Sequence, residues 1–510
     1  MKACRSAFVF LVLAGVFSGL SARAANFYWN HAGGNNLWSN PANWTSNAVP
    51  ASNDTIYLAN NPVVDEPQTI ELDRIACVAT IYCTATGNRS YTINPGSGGE
   101  LVFLGSTDIQ GTRSVPLTIN AKMRYVGSLS VQRRGPLLAL NGSIVPDGVV
   151  GSCLASDAGT IGLGGSNSFS YVRNDAGGEV IAAHVHALGN DYFRNNAATG
   201  ILSLASDVEL TGGLQVNADL NLRLYGAGVS NATLTVGDDI SGAARLTVVP
   251  PVGGASGRFT LYLRKDLGAG SAPAIHFEGP GAILTSNLTT RITWSSVCSG
   301  DASFSVKGEA GIYLYSTNTY TGGTFVLGGT MWLSGDDRLP TNGLVTVCSP
   351  AILDMHGYTT HVAGVTGDGK VDLDATTNAG AFIVTGTLAP GLGGAGSLTC
   401  TAVSASSDFI LGPASTSVFE LDGVTGVSDK VVFNSNKGNL TLDGTLKVEN
   451  LGGLEFGSYT LFDLAGGVLS GGFTGIDMPA GFLGTLDTSS GDVVLNVKKG
   501  TAGGALLQVR

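Results

Sequence analysis

A cadence that occurs twice constrains the fold of this chain more than any other feature of its sequence. The segment that begins at Ile161 aligns without a gap on the segment that begins at Ile312, and Asn167 falls on Asn318. Each copy alternates apolar and polar residues with period 2, stops at Asn or Gly, and resumes. Such a unit cannot bury its apolar side alone, because each short strand needs neighbours stacked on it. The cadence therefore predicts an all-β chain that winds into stacked coils.

Composition supports short strands joined by many turns. Gly accounts for 74 of the 510 residues, which is about twice its usual share. Hydrophobic residues make up 43% of the chain and charged residues only 13%, the opposite of the balance in disordered chains. After the first 20 or so residues, no segment of helical length shows apolar residues at i, i+3 and i+4. We therefore expect strands and turns along the whole mature chain.

The first residues have the pattern of a secretory signal peptide. Lys2 and Arg5 precede an apolar stretch, and Ala22-Arg23-Ala24 forms a small-x-small cleavage site. No later stretch of about 18 uninterrupted apolar residues occurs, so no integral membrane segment is expected after signal removal. The predicted organisation is a signal peptide at 1–24, a Trp-rich cap at 25–69, β-helix repeats at 70–385, a strand-rich segment at 386–497 and a tail at 498–510.

Three tryptophans stand in the irregular segment that opens the predicted mature chain, at Trp29, Trp38 and Trp44. Large aromatic side chains there can cover the open end of a solenoid core. The same rings could instead stack on sugars and form a carbohydrate platform. We favour the cap, because aromatic residues bury large apolar areas and usually do so inside the protein.

The charge of the chain argues against one class of partner. The formal net charge is −11 at pH 7. An acidic surface repels phosphate backbones, so no nucleic acid partner is expected. Ordinary solubility explains the acidity without an acid-specific partner.

The cysteines are too scattered for a disulfide scaffold, with seven in the whole chain. Cys77 and Cys83 are the only close pair. On one uninterrupted strand they would lie too far apart to bond, and only a turn between them would permit a disulfide. The other cysteines of the mature chain are expected to be small buried residues.

Two histidine pairs are the first candidates for a metal site. His184 and His186 would share one face of a strand, and His356 and His361 lie on either side of Gly357. Two imidazoles are too few without further Asp, Glu or Cys ligands. We therefore assign no metal site.

Grouped carboxylates are candidates for acid and base chemistry. The densest groups are Asp65-Glu66 and Asp336-Asp337-Arg338. Turn-like positions commonly carry charged residues without function. The run Gly367–Asp374 is instead similar to a calcium loop, but its twelfth position is Ala379 where an EF-hand has a bidentate Glu. We assign no catalytic residue, no cofactor-binding residue and no cofactor.

Two local predictions test the phase of the strands. Leu314 and Tyr320 are expected to point inward as a stack. The segment Asn439–Val448 carries the turn Asp443-Gly444 between two clean alternations, and it is typical of either a β-hairpin or one corner of a coil.

Several segments resemble the autotransporter-associated β-strand repeat family. The most specific is LYSTNTYTGGT, where Leu314, Asn318, Tyr320 and residues 321–324 match. Weaker matches are GTLAPG at 386–391, SDKVVF at 428–433, GSYTLF at 457–462 and NPANW at 40–44. The first copy of the cadence departs from the pattern, since Ser170, Tyr171 and Val172 replace Thr-Gly-Gly.

The resemblance implies a right-handed parallel β-helix in an exported bacterial protein, secreted or at the cell surface. It also implies a structural or adhesive role without catalytic activity, with extracellular glycans or cell-surface components as partners. Two alternatives stay open. One is a polysaccharide-acting enzyme, a lyase or hydrolase, on the same fold. The other is a carbohydrate-binding module that uses the three N-terminal tryptophans.

Overall fold

The computed structural model describes residues 24–500, apart from internal gaps. The gaps are 60–65, 88, 105–106, 112–114, 127, 134–136, 148–152, 230, 239, 242–243, 254, 256–257, 264–274, 286–291, 295, 308–310, 374–379, 403–406, 424–426 and 435–436. The predicted signal peptide therefore lies outside the described residues, except for Ala24. Among the described residues, the one helical element is a 3-10 turn at Pro41–Asn43. No helix in this part of the chain is long and apolar enough to span a bilayer.

The strands of the described chain form four sheets, all but the last wholly parallel. Sheet 1 contains Asn26–Tyr28, Thr55–Leu58, Thr80–Cys83, Thr107–Gly111, Leu129–Arg133, Cys153–Ala158, Tyr171–Asn174, Tyr192–Asn195, Leu214–Val216 and Ile240–Ser241. Sheet 2 contains Ala76–Val78, Leu101–Phe103, Met123–Tyr125 and Ile144–Pro146.

Sheets 3 and 4 complete the coils. Sheet 3 contains Gln68–Glu71, Tyr91–Asn94, Leu117–Ile119, Leu138–Leu140, Thr160–Leu163, Glu179–Ala182, Gly200–Leu204, Val208–Leu210, Leu220–Leu224, Asn231–Val236, Leu246–Val248, Arg258–Leu263, Ile275–Thr285, Cys298–Val306, Thr319–Tyr320, Thr324–Val326, Leu344–Val347, Thr360–Gly367, Ala381–Pro390, Asp408–Leu411, Thr416–Leu421, Asn439–Leu442, Thr445–Asn450, Val468–Gly471 and Gly475–Asp477. Sheet 4 contains Ile292–Trp294, Gly311–Leu314, Thr330–Leu333, Ile352–Asp354, Lys370–Asp372, Ser397–Thr401, Lys430–Phe433, Gly457–Asp463, Val493–Lys499 and Phe482–Asp487.

Successive coils stack in parallel and in register. Tyr171 pairs with Tyr192 and Val172 with Phe193, one coil further along the chain. The rest of each coil provides the long connection that parallel strands require. Each strand thus satisfies its backbone N–H and C=O groups with the coils above and below. The predicted all-β parallel β-helix is confirmed.

In most of the strands, alternate residues point into one continuous core. In Leu220–Leu224 the three leucines are buried, whereas Asn221 and Arg223 between them are partly exposed. Leu314 and Tyr320 are both fully buried, which confirms their inward phase. Each buried aliphatic side chain contributes on the order of 1.5–3 kcal/mol, so this ladder of side chains is the main source of stability.

The repeated cadence corresponds to a corner of the coil that is closed by a buried asparagine. Asn167 accepts a hydrogen bond from the Ile144 N–H at 2.8 Å and donates to the Ala187 carbonyl at 2.7 Å. Asn318 does the same with the Cys298 N–H at 2.9 Å and the Arg338 carbonyl at 2.9 Å. Each asparagine therefore ties its corner to the coil before it and the coil after it.

The two copies occupy different corners. Asn167 follows Thr160–Leu163 of sheet 3, whereas Asn318 follows Gly311–Leu314 of sheet 4. Residues 321–323 consequently form a turn, while the strand Tyr171–Asn174 of sheet 1 occupies the matching place in the first copy. This difference explains why the first copy lacks Thr-Gly-Gly: a strand, not a turn, is needed there.

The Trp-rich segment closes the N-terminal end of the core. Trp29 is 2% exposed and Trp38 and Trp44 are fully buried. The Trp44 ring meets the Trp38 and Trp29 rings edge-on, with centroids 4.8 and 5.1 Å away. Its indole N–H donates to the Trp38 carbonyl at 2.9 Å. Buried rings cannot stack on a sugar, so the structure supports the cap and not the carbohydrate platform.

The parallel coils continue without a break across the boundary predicted at residue 386. That boundary falls inside the strand Ala381–Pro390, whose Thr387 and Leu388 pair with Thr416 and Ser417. The strands Asn439–Leu442 and Thr445–Asn450 pair with earlier coils and not with each other. The hairpin interpretation of this segment is therefore wrong, and the corner interpretation is confirmed.

The coils end in an antiparallel cap that the sequence did not suggest. Val493–Lys499 pairs antiparallel with Gly457–Asp463 on one side and with Phe482–Asp487 on the other. The strand thus includes Lys498 and Lys499, two residues of the predicted tail. Residues 501–510 lie outside the described residues.

Candidate functional site

The histidine pairs do not form the arrangement that a metal would need. His184 and His186 lie in a turn, not on a strand, and the His184 Nδ1 accepts a hydrogen bond from the His186 N–H at 3.1 Å. His361 Nδ1 lies 3.0 Å from the Asp337 carboxylate. Among the described residues, no three His, Cys, Asp or Glu side chains lie together.

The carboxylates of Asp336 and Asp337 accept hydrogen bonds from backbone N–H groups. Asp336 Oδ1 accepts the Thr359 N–H at 2.8 Å, and Asp337 Oδ1 accepts the His361 N–H at 2.9 Å. The Arg338 guanidinium donates to the Thr317 hydroxyl at 2.7 Å. This group therefore joins neighbouring coils, as expected for charged residues at a turn.

The other acidic candidates lie apart. Asp65 and Asp374 are outside the described residues, and Glu66 is exposed. Asp368 Oδ1 accepts the Ser349 N–H at 2.8 Å, so it closes a turn between coils. In the run Gly367–Asp374, which is similar to a calcium loop, the Asp368 carboxylate thus bonds to a backbone N–H group.

The close cysteine pair is not bonded. Cys77 lies on Ala76–Val78 and Cys83 on Thr80–Cys83, and both are free thiols. Cys298 and Cys400 are fully buried, as the sequence predicted for the cysteines outside this pair, whereas Cys348 is partly exposed against that prediction. Burial raises the pKa of the Cys298 thiol to about 12, so it stays protonated and unreactive.

Aromatic side chains that point outward from sheet 1 form two stacks. In the first, the ring centroids of Tyr28 and Tyr57 are 4.7 Å apart, and those of Tyr57 and Tyr82 are 5.1 Å apart. In the second, the Tyr171 and Tyr192 centroids are 4.5 Å apart. These stacks follow the axis of the solenoid because each ring lies one coil from the next.

The second stack is closed by a cation. The Arg194 guanidinium lies 5.0 Å from the Tyr192 centroid and 5.9 Å from the Tyr171 centroid. Its Nε donates to the Gln215 side chain at 2.7 Å, which holds it in place. Arg194 and the two rings thus form one outward cation–π cluster.

A third stack projects from sheet 4. The Tyr313 and Trp332 rings are nearly parallel, with centroids 4.6 Å apart and 18° between their planes. Tyr315 lies beside them, with its ring 6.4 Å from Tyr313 and half exposed. Tyr313 and Trp332 each stand between two buried residues of their strands, so both rings point out of the core.

Two carboxylates continue the same row beyond Trp332. Trp332 pairs in register with Asp354, and Asp354 pairs with Asp372 on the next coil. We call Tyr313, Trp332, Asp354 and Asp372 the sheet 4 strip. The row therefore changes from rings to carboxylates within one coil.

The two carboxylates of the sheet 4 strip differ in environment. Burial raises the pKa of Asp354 above its usual range, and the charge of Asp372 adds to this, while the His356 N–H that donates to Asp354 opposes it. Asp372 instead forms an ion pair with Lys370 at 2.8 Å. At mildly acidic pH, Asp354 is consequently protonated more readily than a free aspartate.

A recess of about 570 Å³ opens on the strands that follow the strip in the same coils. Its lining includes Phe325, Leu344, Thr346, Thr366 and Thr387. Leu344 is 60% exposed there. The coils between residues 311 and 390 thus carry both an aromatic surface and a concave one.

Sequence reasoning did not single out the strip. A signal was available, because each of its members stands between two apolar residues that the core buries. Trp332, for example, lies between Met331 and Leu333, both fully buried. Period 2 then places Trp332 outside, but the coil lengths vary, so the sequence alone could not show that these residues share one row.

Comparison with known proteins gives no relative: no family model, no curated protein and no solved structure matches this chain. Membership of the autotransporter-associated repeat family therefore stays a prediction. The features that bear on function are therefore the side chains on the outer surface of the solenoid.

Proposed function

We propose that this chain is an exported structural or adhesive protein, in which the parallel β-helix is a rigid support for an outer contact surface. The observation that carries the proposal is the set of three outward aromatic stacks along the solenoid. Rings on the outside of a strand gain little from the core, and exposed aromatic side chains are typical of contact surfaces.

Export is the first part of the proposal. The basic, apolar and small-x-small order of residues 1–24 supports it. Expression of the full chain in a bacterium, followed by N-terminal sequencing of the exported product, is expected to give a chain that begins near Ala25. Retention of Met1 in a cytoplasmic product would contradict export.

Adhesion is tested by retention on surfaces. Labelled protein that starts at Ala25 is incubated with insoluble polysaccharides and with bacterial cells, and bound and free protein are measured. A variant with Tyr57→Ser, Tyr192→Ser and Trp332→Ser is expected to lose most of the retention. The matched control changes three outward threonines, Thr92, Thr118 and Thr233, to serine. Equal retention of both variants would contradict the proposal.

A second candidate function is a polysaccharide-acting enzyme, and the carboxylates of the sheet 4 strip favour it. A pair of carboxylates in different environments is what acid and base catalysis at a glycosidic bond requires. The protein is incubated with neutral and uronate-containing polysaccharides, with and without calcium, and new reducing ends or unsaturated products are measured. Products that disappear with Asp354→Asn would establish this function instead.

A further inference from the structure

We propose that the recess on sheet 3 binds a neutral oligosaccharide, whose hydroxyls bond to Asn342, Thr346 and Thr387. The recess has a volume of about 570 Å³, which lies within the range of about 300–1,000 Å³ that is typical of small-molecule sites. The inference goes beyond the proposed function, because that proposal depends on aromatic stacks of sheets 1 and 4.

The recess forms where a glycine interrupts a row of side chains on sheet 3. Leu344 pairs in register with Gly364, and Gly364 pairs with Thr387, so the middle coil of this row carries no side chain. A Cβ atom on Gly364 would lie 2.8 Å from the Thr387 carbonyl oxygen and 2.9 Å from the Leu344 side chain. The missing side chain therefore leaves a hollow between Leu344 and Thr387, both of which line the recess.

Polar side chains that line the recess are available to a ligand. Among the described residues, none forms a hydrogen bond with the side chain of Asn342, Thr346 or Thr387. The Thr366 hydroxyl, by contrast, already donates to the Gly391 carbonyl at 3.1 Å. Hydroxyl and primary amide groups both donate and accept hydrogen bonds. The three available groups therefore match a ligand that is rich in hydroxyls, such as a sugar.

An apolar ring lies beside these polar groups. Phe325 lines the recess and is partly exposed, and no other aromatic ring of the described chain contacts it. It pairs in register with Thr346, one coil further along the chain, about 4.8 Å away. A pyranose ring has an apolar C–H face and a polar edge. It can therefore lie on the Phe325 ring while its hydroxyls reach Thr346.

The composition of the lining selects an uncharged ligand. The described lining consists of Thr, Asn, Gly, Ala, Val, Leu and Phe residues, none of which carries a charge. A carboxylate or sulfate group would lose water in the recess and meet no cation there. An alkyl chain is uncharged too, but it would leave the hydroxyls of Thr346 and Thr387 without partners once water is displaced. A neutral sugar meets both conditions.

Titration calorimetry tests the ligand class. The protein that starts at Ala25 is titrated with hexasaccharides of β-1,4-glucan, β-1,3-glucan, α-1,4-glucan and β-1,4-mannan, with hexagalacturonate, and with 1-octanol. At least one neutral hexasaccharide is expected to bind saturably, whereas hexagalacturonate is not. Saturable binding of 1-octanol and of no hexasaccharide would assign the recess to an apolar ligand and overturn the proposal.

Variants that keep the shape of the recess locate the site. Thr346→Val combined with Thr387→Val removes both hydroxyls and is expected to weaken binding of the neutral hexasaccharide by about tenfold. An alkyl ligand would instead bind this variant at least as tightly. The matched control combines Thr92→Val with Thr118→Val, two partly exposed threonines of sheet 3 that do not line the recess. It is expected to bind as the unchanged protein does.

A second variant tests the apolar part of the site. Phe325→Ala removes the stacking surface and is expected to weaken binding by about tenfold, while Phe325→Tyr, which keeps a ring, retains most of the affinity. Circular dichroism confirms that each variant is folded.

Three results would overturn the inference: no binding of any neutral hexasaccharide, unchanged binding by the double valine variant of the recess, or an equal loss in the Thr92 and Thr118 control. Failure of this inference is distinguishable from failure of the proposed function. If the protein is retained on surfaces but binds no neutral hexasaccharide, only the assignment of the recess is wrong. If it binds a hexasaccharide in the recess but is retained nowhere, only the adhesive function is wrong.

Discussion

Several residues of the segment LYSTNTYTGGT, at 314–324, have a clear structural role. A side chain on Gly322 would lie 2.5 Å from the Ala302 carbonyl, and Gly323 has a φ of 88°, so this turn favours glycine at both positions. The Tyr320 hydroxyl meets the Thr324 hydroxyl at 2.7 Å inside the core. The motif therefore encodes a corner with one buried hydrogen-bonded pair.

Asn318→Ala is expected to lower the free energy of unfolding by about 2–5 kcal/mol. The substitution leaves the buried Cys298 N–H and the Arg338 carbonyl without their partner, and each lost partner costs on the order of 1–3 kcal/mol. Urea unfolding followed by circular dichroism measures the change. Asn190→Ala is the control, because that exposed side chain makes only one long hydrogen bond, at 3.3 Å. Equal effects of the two variants would contradict the corner role.

The buried carboxyl of Asp429 is expected to make the stability of the protein depend on pH. Its side chain is 1% exposed, and burial raises its pKa to about 6, although it accepts the Gly396 and Glu420 N–H groups. Because the pKa is higher in the folded chain than in the unfolded one, this group favours folding fully below about pH 4. That contribution is lost as the pH rises through 6, and it amounts to on the order of 2–3 kcal/mol.

As the pH rises from 4.5 to 7.5, the denaturant concentration at the unfolding midpoint should therefore decrease more in the unchanged protein than in Asp429→Asn, whose side chain cannot titrate. Because the other carboxylates titrate equally in both, the difference between the two proteins isolates Asp429. Parallel pH profiles would show that this carboxyl keeps its ordinary pKa when the chain folds.

At the scale of elements, the N-terminal cap acts as a unit of packed rings. The 3-10 turn Pro41–Asn43 begins at Asn40, whose side chain accepts the Ala42 N–H at 3.1 Å. The buried Asn43 side chain donates to the carbonyls of Asn35 and Leu37. NPANW thus directs the chain so that Trp44 enters the end of the core.

Trp44→Ala is expected to cost about 3–5 kcal/mol, because it removes a buried ring that three other aromatic rings contact. The loss should be local, since each coil contacts only its neighbours. Hydrogen exchange is expected to accelerate in Thr55–Leu58 and much less in Lys430–Phe433. Trp332→Ala is the control of the same residue type, and it should cost less than about 1.5 kcal/mol. Uniform acceleration along the chain would contradict a local cap.

For the molecule as a whole, the sequence revealed the coil but not the arrangement of its outside. The alternation around Leu314 predicts the inward phase because burial has period 2 in any strand. Rows along the axis depend on the number of residues in each coil, which varies with turns and corners. Trp332 and Asp354 therefore become neighbours only in the folded chain. The antiparallel end was missed for a related reason, since the strand Val493–Lys499 alternates as many of the parallel strands before it do.

The antiparallel strand at the C-terminal end of the solenoid is expected to oppose self-association. Val493–Lys499 covers the edge of Gly457–Asp463, and its Val493, Leu495 and Val497 are buried at the end of the core. Deletion of residues 480–510 would leave an open strand edge, which pairs readily with another chain. The truncated protein is expected to form dimers in sedimentation velocity as its concentration rises.

A chain that ends at Gly500 keeps the antiparallel pair and should sediment as the chain that ends at Arg510 does. Adding Thr460→Lys to the truncated protein places a charge on the open edge and should restore the monomer, because a charged side chain on an edge strand opposes pairing with a second chain. If the truncated protein stays monomeric at every concentration, the strand edge of Gly457–Asp463 does not associate, and the antiparallel strands do not act by covering it. If the lysine does not restore the monomer, association proceeds through the exposed core end and not through the strand Gly457–Asp463.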